Sequence, residues 1–392
     1  MTSAAAVRIG LIGTGFVARH LLFELARRPR YRLTRVLTRR PLDRCAEFPR
    51  QDALTDSLDA VIEASDLVLE CTGDAIYAAR TIGRVLDAGR PVVTLNSEFH
   101  VTVGSHFVGR GVLSEADGDQ PGCLAALHED ALAMGFEPWV YGNMKGFLNR
   151  NPSPEDMAYW AERNGISLPM VTSFTDGTKV QIEQCLVANG LGADIAQDDL
   201  LGPATDDLAD GARVLAAAAE KRGRPISDYV LSLKLPHGVF IVATHDERQR
   251  DALRYLKLGD GPFYTLVKSN ILVHLEAFKT IERILRGEPP LLNNGAAPRI
   301  GVAAVAKRQL EPGELIERGC GSFELRGSCV NIADHPGHLP ICLAQGIRVR
   351  RRVVPGQIVT MQDVEVPESE ALAAWQAIER RALKVGRAQR AS

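Results

Sequence analysis

The residues of this sequence best suited to acid–base chemistry are two lysines, Lys145 and Lys179. Lys145 lies in a segment that reads YGNMKG over residues 141–146, with Asn143 two residues before it. A lysine that is partly shielded from water can protonate an alkoxide or stabilise a developing enolate. The flanking glycines predict a loop, and a lysine in an exposed loop would have no such role. Both interpretations stay open at this point.

Lys179 belongs to a segment that reads VTSFTDGTKVQIE over residues 171–183. The Asp-Gly pair at its centre lies between two β-prone runs and predicts a β-hairpin. The second strand of that hairpin would carry Lys179, Gln181 and Glu183 on one face. Such a face is either solvated or, beside a nucleotide-binding domain, the wall of a substrate site.

A turn-like segment, DGDQP over residues 117–121, adds the carboxylate of Asp119 to the candidate site. This carboxylate either orients a lysine, holds a metal ion together with Asp117, or simply closes a turn. His237 and His274 are further acid–base candidates, with structural roles as the alternative. The sequence contains no HExxH, GxSxG, P-loop or CxxC motif.

The motif most informative about function reads IGLIGTGFVA over residues 9–18. Its pattern, Gly13-x-Gly15-x-x-Ala18, follows a predicted strand and begins a predicted helix, which is the context of a dinucleotide-binding turn. Gly13 permits the tight turn, and Gly15 lets the backbone approach a pyrophosphate at the helix N-terminus. The residues predicted to contact the cofactor here are Gly13, Thr14, Gly15, Phe16 and Val17.

The end of the second predicted strand distinguishes between cofactors. It reads Thr38-Arg39-Arg40, with no acidic residue before Asp43. An NAD site usually places Asp or Glu there, whereas two guanidinium groups and a hydroxyl suit a phosphate on the ribose. The sequence therefore predicts NADP(H), with a solvated basic loop as the alternative.

Further cofactor contacts are predicted where two other strands end. Cys71, Thr72 and Gly73 follow one buried strand, and Asn96 follows the next. In open α/β sheets, ligands bind at the carboxyl ends of the strands. Turn formation by Gly73 and loop capping by Asn96 are the structural alternatives.

The elements that must position these residues alternate between strand and helix in the first hundred residues. Strands are predicted at residues 7–12, 31–38, 66–70 and 91–95, with helices at 16–28 and 75–88. Such alternation predicts βαβ units and an α/β fold with an N-terminal Rossmann-type parallel sheet. We predict three domains: an NADP-binding domain over residues 1–125, an α+β substrate and dimerisation domain over 126–290 with a return helix at 269–286, and a small β-rich domain over 297–392.

Composition excludes several classes of protein. The 392 residues carry 46 basic and 48 acidic side chains, a net charge of −2, which argues against general binding of nucleic acid. No apolar run approaches the roughly 20 residues of a membrane span. The seven cysteines are scattered along the chain, which indicates a reduced, cytoplasmic compartment rather than a disulfide framework.

Taken together, these segments resemble the homoserine-dehydrogenase-like oxidoreductases that carry a C-terminal SAF domain. Within that group the chain is similar to the second-class deoxyxylulose phosphate reductoisomerase-like enzymes. The resemblance continues through KLGDGP at residues 257–262 and AKRQLEPGE at residues 306–314. It implies NADP(H), a divalent ion such as Mg²⁺ or Mn²⁺, and a reductoisomerase reaction. The substrate-site residues it implies are Asp119, Asn143, Lys145, Lys179 and Glu183.

Two departures from that group concern the substrate. Where that group has a segment like Gly-Lys-Gly-Lys, this chain has GNMK at residues 142–145. Where that group has a turn like Gly-Asp-Glu-Pro, this chain has GDQP at residues 118–121. The chain thus has one cation and one carboxylate fewer. We therefore expect a related polyhydroxylated carbonyl compound, of the ketose phosphate or sugar-acid type, rather than the same substrate.

Two rival functions remain at this stage. One is simple reduction of a semialdehyde, as in homoserine dehydrogenases. The other is non-catalytic, a cofactor-sensing or carbohydrate-binding protein in which the SAF-like domain binds the ligand. The expected partners are a small-molecule substrate and a second copy of the chain in a homodimer, the latter by analogy with related substrate domains.

Overall fold

A six-stranded parallel sheet forms the N-terminal part of the chain in the computed structural model, which describes residues 5–391. Its strands are β1 (Val7–Ile12), β2 (Tyr31–Leu37), β3 (Leu54–Thr55), β4 (Leu67–Glu70), β5 (Val92–Thr94) and β6 (Leu113–Glu115). Their order in the sheet is β3-β2-β1-β4-β5-β6, which is the order of dinucleotide-binding sheets. The chain reverses direction across the sheet between β1 and β4, so a ligand crevice is expected at their carboxyl ends.

Four helices accompany this sheet: α1 (Phe16–Ala26), α2 (Leu58–Ala64), α3 (Ala75–Asp87) and α4 (Ser97–Thr102). Helix α1 buries Leu21, Leu22 and Leu25, whose spacing places them on one face of a helix. Helix α3 begins at a side-chain cap, since the carboxylate of Asp74 accepts from two backbone amides at 3.0 and 3.1 Å. The predicted strands and helices of this region are confirmed within one or two residues.

A second, mixed sheet has the strand order β10-β9-β7-β8. Its strands are β7 (Glu137–Lys145), β8 (Ile226–Leu231), β9 (Gly238–Thr244) and β10 (Tyr264–Ser269). Its helices are α5 (Gln120–Ala133), α6 (Pro154–Asn164), α7 (Leu168–Thr175), α8 (Thr178–Gly190), α9 (Leu208–Arg222), α10 (Arg250–Tyr255) and α11 (Val273–Leu285). Helices α5 and α8 pack on one face of the sheet, and α9 packs on the other.

The loop predicted around Lys145 is a strand. Residues 137–145 form β7, the inner strand that pairs with both β8 and β9. Along β7, Tyr141 faces α5 and α8, while Val140 and Met144 face α9. Because strand side chains alternate, Asn143 and Lys145 lie on the α8 side of the sheet.

The β-hairpin predicted for residues 171–183 is wrong, because this segment forms α7 and α8. Asp176 and Gly177 are the junction between the two helices: Gly177 has φ 86°, and the Thr178 amide donates to Asp176 at 2.8 Å. Helix α8 is buried on nearly every side, so tertiary packing outweighs the β preference of its Val and Ile residues. Lys179 and Glu183 therefore lie one helical turn apart on one face, and Gln181 points elsewhere.

Helix α11 returns the chain to the first sheet. Its residues Ala277, Phe278 and Ile281 join the apolar core formed by β1, α1 and β4. The Phe278 ring lies 5.6 Å from the ring of Tyr31 on β2. This packing holds the N-terminal sheet and the second sheet against each other.

The C-terminal region is mostly β structure, as the sequence predicted. Its elements are β11 (Ile300–Ala306), β12 (Leu315–Ile316), β13 (Leu325–Asn331), β14 (Ile347–Val349), β15 (Val364–Glu365) and α12 (Glu370–Ala391). Strands β11 and β13 pair antiparallel, and β12, β14 and β15 form a separate small sheet. No helix within the described residues is long and apolar enough to cross a membrane. The SAF assignment, the domain boundaries and the homodimer stay predictions.

The C-terminal region docks on helix α8 through buried polar contacts. Lys307 pairs with Asp176 at 2.5 Å, and both side chains are almost fully buried. The Gly327 amide donates to Thr178 at 2.8 Å, and the Cys329 amide donates to Gln181 at 2.8 Å. Helix α8 thus lies between the second sheet and the C-terminal region.

Candidate active site

The β1–α1 turn has the shape that a dinucleotide requires. Gly13 has φ 112°, and a Cβ atom there would lie 3.0 Å from the carbonyl oxygen of Cys71. Gly15 faces open space, and a Cβ atom at that position would have no neighbour within 4 Å. Among the described residues, no side chain caps the helix at Gly15, so the first amides of α1 are free to bind an anion. These features fit a pyrophosphate.

Beside this turn, the end of β4 forms a polar network with the end of β5. The buried carboxylate of Glu70 accepts from the Thr72 amide at 2.8 Å and from the Thr94 hydroxyl at 2.9 Å. Burial raises the pKa of Glu70. Asn96 accepts from the Phe99 amide at 2.9 Å, so it caps α4, and its amide also lies 3.4 Å from the Thr72 hydroxyl.

A basic cavity of about 580 Å³ lies beyond the end of β2 and is bordered by α3. Arg39 pairs with Asp74 at 2.7 Å and stacks on the Tyr77 ring at 4.3 Å. Arg40 pairs with Glu47 at 2.9 Å and lies 3.3 Å from the Thr14 hydroxyl. The predicted Thr38 lines the same cavity, and α3 adds Arg80 and Arg84, which were not predicted from the sequence. Their spacing of four residues could have indicated two cations on one face of the predicted helix.

The centre of the second domain's site is a buried group on β7 and α8. Lys145 donates to Glu183 at 2.9 Å, and Asn143 donates to the same carboxylate oxygen at 2.9 Å. The Lys145 side chain is 15% exposed and the Glu183 side chain 1% exposed. Burial raises the pKa of Glu183, and the nearby ammonium groups of Lys145 and Lys179 oppose that rise.

A second ion pair joins α8 to the N-terminal sheet. Lys179 donates to both oxygens of Glu98, at 3.0 and 3.2 Å. Burial lowers the pKa of Lys179, but the carboxylates of Glu98, Asp119 and Glu183 outweigh it and leave the pKa well above its usual value. Lys179 therefore stays protonated. Nothing in the sequence pointed to Glu98, which lies 81 residues away from its partner.

Asp119 lies beside these ion pairs and has a second role in the fold. It caps α5 by accepting from the Gln120 amide at 3.0 Å, and its other oxygen accepts from Ser97 at 3.2 Å. The side chain of Gln120 meets His237 at 3.3 Å. Burial and the charge of Lys145 lower the pKa of His237, so its ring is neutral at pH 7. The other histidine candidate, His274, packs against His20 instead.

One cavity of about 660 Å³ extends from Val17 of α1 and the 71–73 segment to these ion pairs. The predicted site residues that line it are Val17, Arg39, Cys71, Thr72, Gly73, Asp119, Lys145, Lys179 and Glu183. The other predicted residues do not line it. The cofactor turn is formed by Gly13, Thr14, Gly15 and Phe16, and the basic cavity is bordered by Thr38 and Arg40. Asn96 and Asn143 form hydrogen bonds to the lining residues Thr72 and Glu183. The fold thus gathers residues from two sheets around one chamber.

A divalent metal does not fit the acidic residues available. Among the described residues, only Asp117, Cys123 and Glu276 bring possible ligand atoms within 4.8 Å of one another. Lys268 already pairs with Asp117 at 3.1 Å and with Glu276 at 2.8 Å, and Lys279 pairs with the same two carboxylates. The charges of this group are balanced by ammonium groups, so a step through a metal ion has no support from these residues.

A dinucleotide-binding sheet that opens onto buried lysine–carboxylate pairs defines an NAD(P)-dependent oxidoreductase. Two protein-family models match the chain. Residues 13–102 match the model described as homoserine dehydrogenase, NAD binding domain. Residues 118–277 match the model described as oxidoreductase DRL, catalytic domain. The predicted cofactor domain of homoserine dehydrogenase type is confirmed. No curated protein matches the chain.

Several solved dehydrogenase structures resemble the chain weakly. UDP-N-acetylglucosamine 3-dehydrogenase from Acidithiobacillus ferrooxidans is 13% identical and has a TM-score of 0.41, with 74% of this chain and 93% of that chain covered. A dehydrogenase from Clostridium difficile is 13% identical with a TM-score of 0.41, covering 74% and 94% of the two chains. A myo-inositol dehydrogenase from Corynebacterium glutamicum is 13% identical with a TM-score of 0.40, covering 68% and 76%.

Proposed function

We propose that this oxidoreductase uses NADP(H), acts on a small polyhydroxylated carbonyl compound, and couples hydride transfer to an isomerisation. One observation carries the proposal: the Lys145–Glu183 and Lys179–Glu98 pairs line the same cavity as Val17 and Thr72, two of the predicted cofactor contacts. Charged hydrogen-bond donors lining a cavity of this size suit a small substrate rich in oxygen atoms.

Lys145 is the proton donor in this proposal. A nicotinamide cofactor, when bound, supplies or accepts the hydride. Lys145 protonates the oxygen of the carbonyl group as that oxygen gains electrons, or holds the same proton when the alcohol is oxidised. Glu183 stabilises the ammonium form of Lys145, and Asn143 holds the Glu183 oxygen in place. The 15% exposure of Lys145 limits competition by water for its proton.

The second lysine supports isomerisation rather than simple reduction. Reduction of one carbonyl group needs one proton donor, which Lys145 supplies. A rearrangement of an α-hydroxy carbonyl compound changes the charge on two neighbouring oxygens, and a second cation would stabilise the other oxygen. Lys179 is that second cation, held by Glu98 at 3.0 Å and buried in the same cavity wall.

A substrate screen tests the function as a whole. Oxidation of NADPH, and reduction of NADP⁺, would be followed with ketose phosphates, sugar acids and semialdehydes, each with and without Mg²⁺ or Mn²⁺. We expect turnover with at least one polyhydroxylated compound, and a product whose carbon skeleton or carbonyl position differs from that of the substrate. Turnover of semialdehydes alone would favour the simple reductase. Tight NADPH binding with no turnover in any arm would favour a cofactor-sensing protein and contradict the proposal.

The preference for NADP(H) rests on the basic cavity beside β2. The Arg40→Gln variant is expected to bind NADP⁺ about 10- to 100-fold more weakly, because a bidentate arginine–phosphate contact is lost. NAD⁺ has no such phosphate, so its dissociation constant should stay within about threefold of the wild-type value. Fluorescence titration with both cofactors measures the change.

The matched control for this prediction is Arg44→Gln. Arg44 is an exposed arginine four residues along the chain that does not line the basic cavity, so its removal changes the net charge equally. A wild-type protein that binds NAD⁺ as tightly as NADP⁺ would contradict the role given to Arg39 and Arg40. So would an equal loss of affinity in the two variants.

A further inference from the structure

The C-terminal region forms one wall of the catalytic cavity. Arg318, Gly319 and Cys320, which follow β12, line the cavity together with Cys342 and Gln345. The same cavity is lined by Lys145 and Lys179. A substrate in the cavity would therefore contact the C-terminal region as well as the two sheets.

Arg318 differs from the other cations that line this cavity. Lys145, Lys179 and Arg39 each pair with a carboxylate at 2.7 to 3.0 Å. Arg318 is exposed to the cavity and forms no ion pair or side-chain hydrogen bond with any residue that the structure describes. Its guanidinium group is therefore available to a ligand.

The loop that carries Arg318 is held tightly on both sides. A Cβ atom on Gly319 would lie 2.6 Å from the Ile341 carbonyl oxygen, and one on Gly321 would lie 2.0 Å from the Pro169 carbonyl oxygen. Gly321 also has φ 73°, a conformation that favours glycine. Such close packing against α7 and the 341–344 segment fixes the point from which the Arg318 side chain extends.

We propose that Arg318 binds an anionic group of the substrate, a carboxylate or a phosphate monoester, and so gives the C-terminal region a direct role in substrate selection. The inference rests on the proposed function. Arginine binds both kinds of group with two parallel hydrogen bonds. The substrate would then span the cavity, with its anionic end at Arg318 and its reacting carbonyl group at Lys145.

The test is titration calorimetry of the NADP⁺-loaded protein with three four-carbon probes: D-erythronate, D-erythrose 4-phosphate and the neutral erythritol. We expect the wild-type protein to bind at least one anionic probe tenfold or more tightly than erythritol. Arg318→Gln should weaken that binding at least 30-fold and leave the affinity for NADP⁺ within twofold. The anion affected identifies the group as a carboxylate or a phosphate.

The control variant is Arg351→Gln, which removes the same charge from an exposed arginine of the C-terminal region that does not line the cavity. It should bind all three probes as the wild type does. Equal anion binding by the two variants would overturn the proposal, and so would a wild-type protein that binds neither anion more tightly than erythritol. If the proposed oxidoreductase reaction were wrong, the protein would show no turnover, but the affinities for the three probes would be unchanged.

Discussion

Replacing Lys145 by methionine is expected to lower kcat for the carbonyl substrate by about 10³-fold, within the 10²- to 10⁴-fold range typical of a positioned proton donor. Methionine keeps most of the length of the side chain but has no proton to donate. It also leaves Glu183, which is 1% exposed, without the ammonium group that it contacts at 2.9 Å. Single-turnover kinetics with saturating NADPH would measure the chemical step directly.

Two measurements separate this catalytic role from a structural one. The affinity of Lys145→Met for NADPH should stay within twofold, because Lys145 lies on β7 and outside the cofactor turn. Lys221→Met, an exposed lysine in the last turn of α9, should keep full activity as the matched control. If Lys145→Met retained more than about a tenth of the wild-type rate, Lys145 could not be the proton donor.

Replacing Lys307 by methionine is expected to lower the free energy of unfolding by about 3–5 kcal/mol, the cost of breaking one side of a buried ion pair. The Lys307 and Asp176 side chains are 4% and 0% exposed and lie 2.5 Å apart. The variant leaves the Asp176 carboxylate buried without a cation. It also removes the hydrogen bond from Lys307 to the Ser322 carbonyl group. Urea denaturation followed by tryptophan fluorescence would measure the loss.

A double variant and an exposed pair make this prediction specific. Lys307→Met combined with Asp176→Asn should lose less stability than the two single variants added together, because no uncompensated charge stays buried. Lys234 pairs with Asp206 on the surface, where the side chains are 74% and 57% exposed, so Lys234→Met should cost less than about 1 kcal/mol. A similar cost for Lys234→Met and Lys307→Met would show that burial of the pair contributes little.

Much of the N-terminal fold was predictable because its signals are local. The glycine pattern at Gly13 and Gly15, the apolar spacing of α1 and the alternation of strands and helices each depend on residues within a few positions. Helix α6 shows signals of the same kind, since the Ser153 side chain caps its first turn and Gly165 ends it in the left-handed conformation. Turns and caps are decided by backbone conformation and nearby hydrogen bonds, which the sequence encodes directly.

The sequence predicted several residues of the candidate site, but it did not predict how they are arranged in space. Lys145, Lys179, Glu183 and Asp119 all line one cavity, although the sequence placed Lys145 in a loop and Lys179 in a hairpin. Lysine and glutamate are seldom buried unless they are paired, and perturbed ionisable groups cluster at functional sites, so residue type alone was informative.

By itself, the sequence determined the cofactor-binding turn, the parallel sheet, the mostly β C-terminal region and the residue types of the site. Only the tertiary structure decided that residues 178–190 form a helix, since contacts on nearly every side of α8 outweigh its local preference. It also decided that Glu98 is the partner of Lys179 and that Arg318 faces the cavity from the C-terminal region. These contacts join residues far apart in the chain, and their stability depends on burial and charge in the folded protein, which no short stretch of sequence contains.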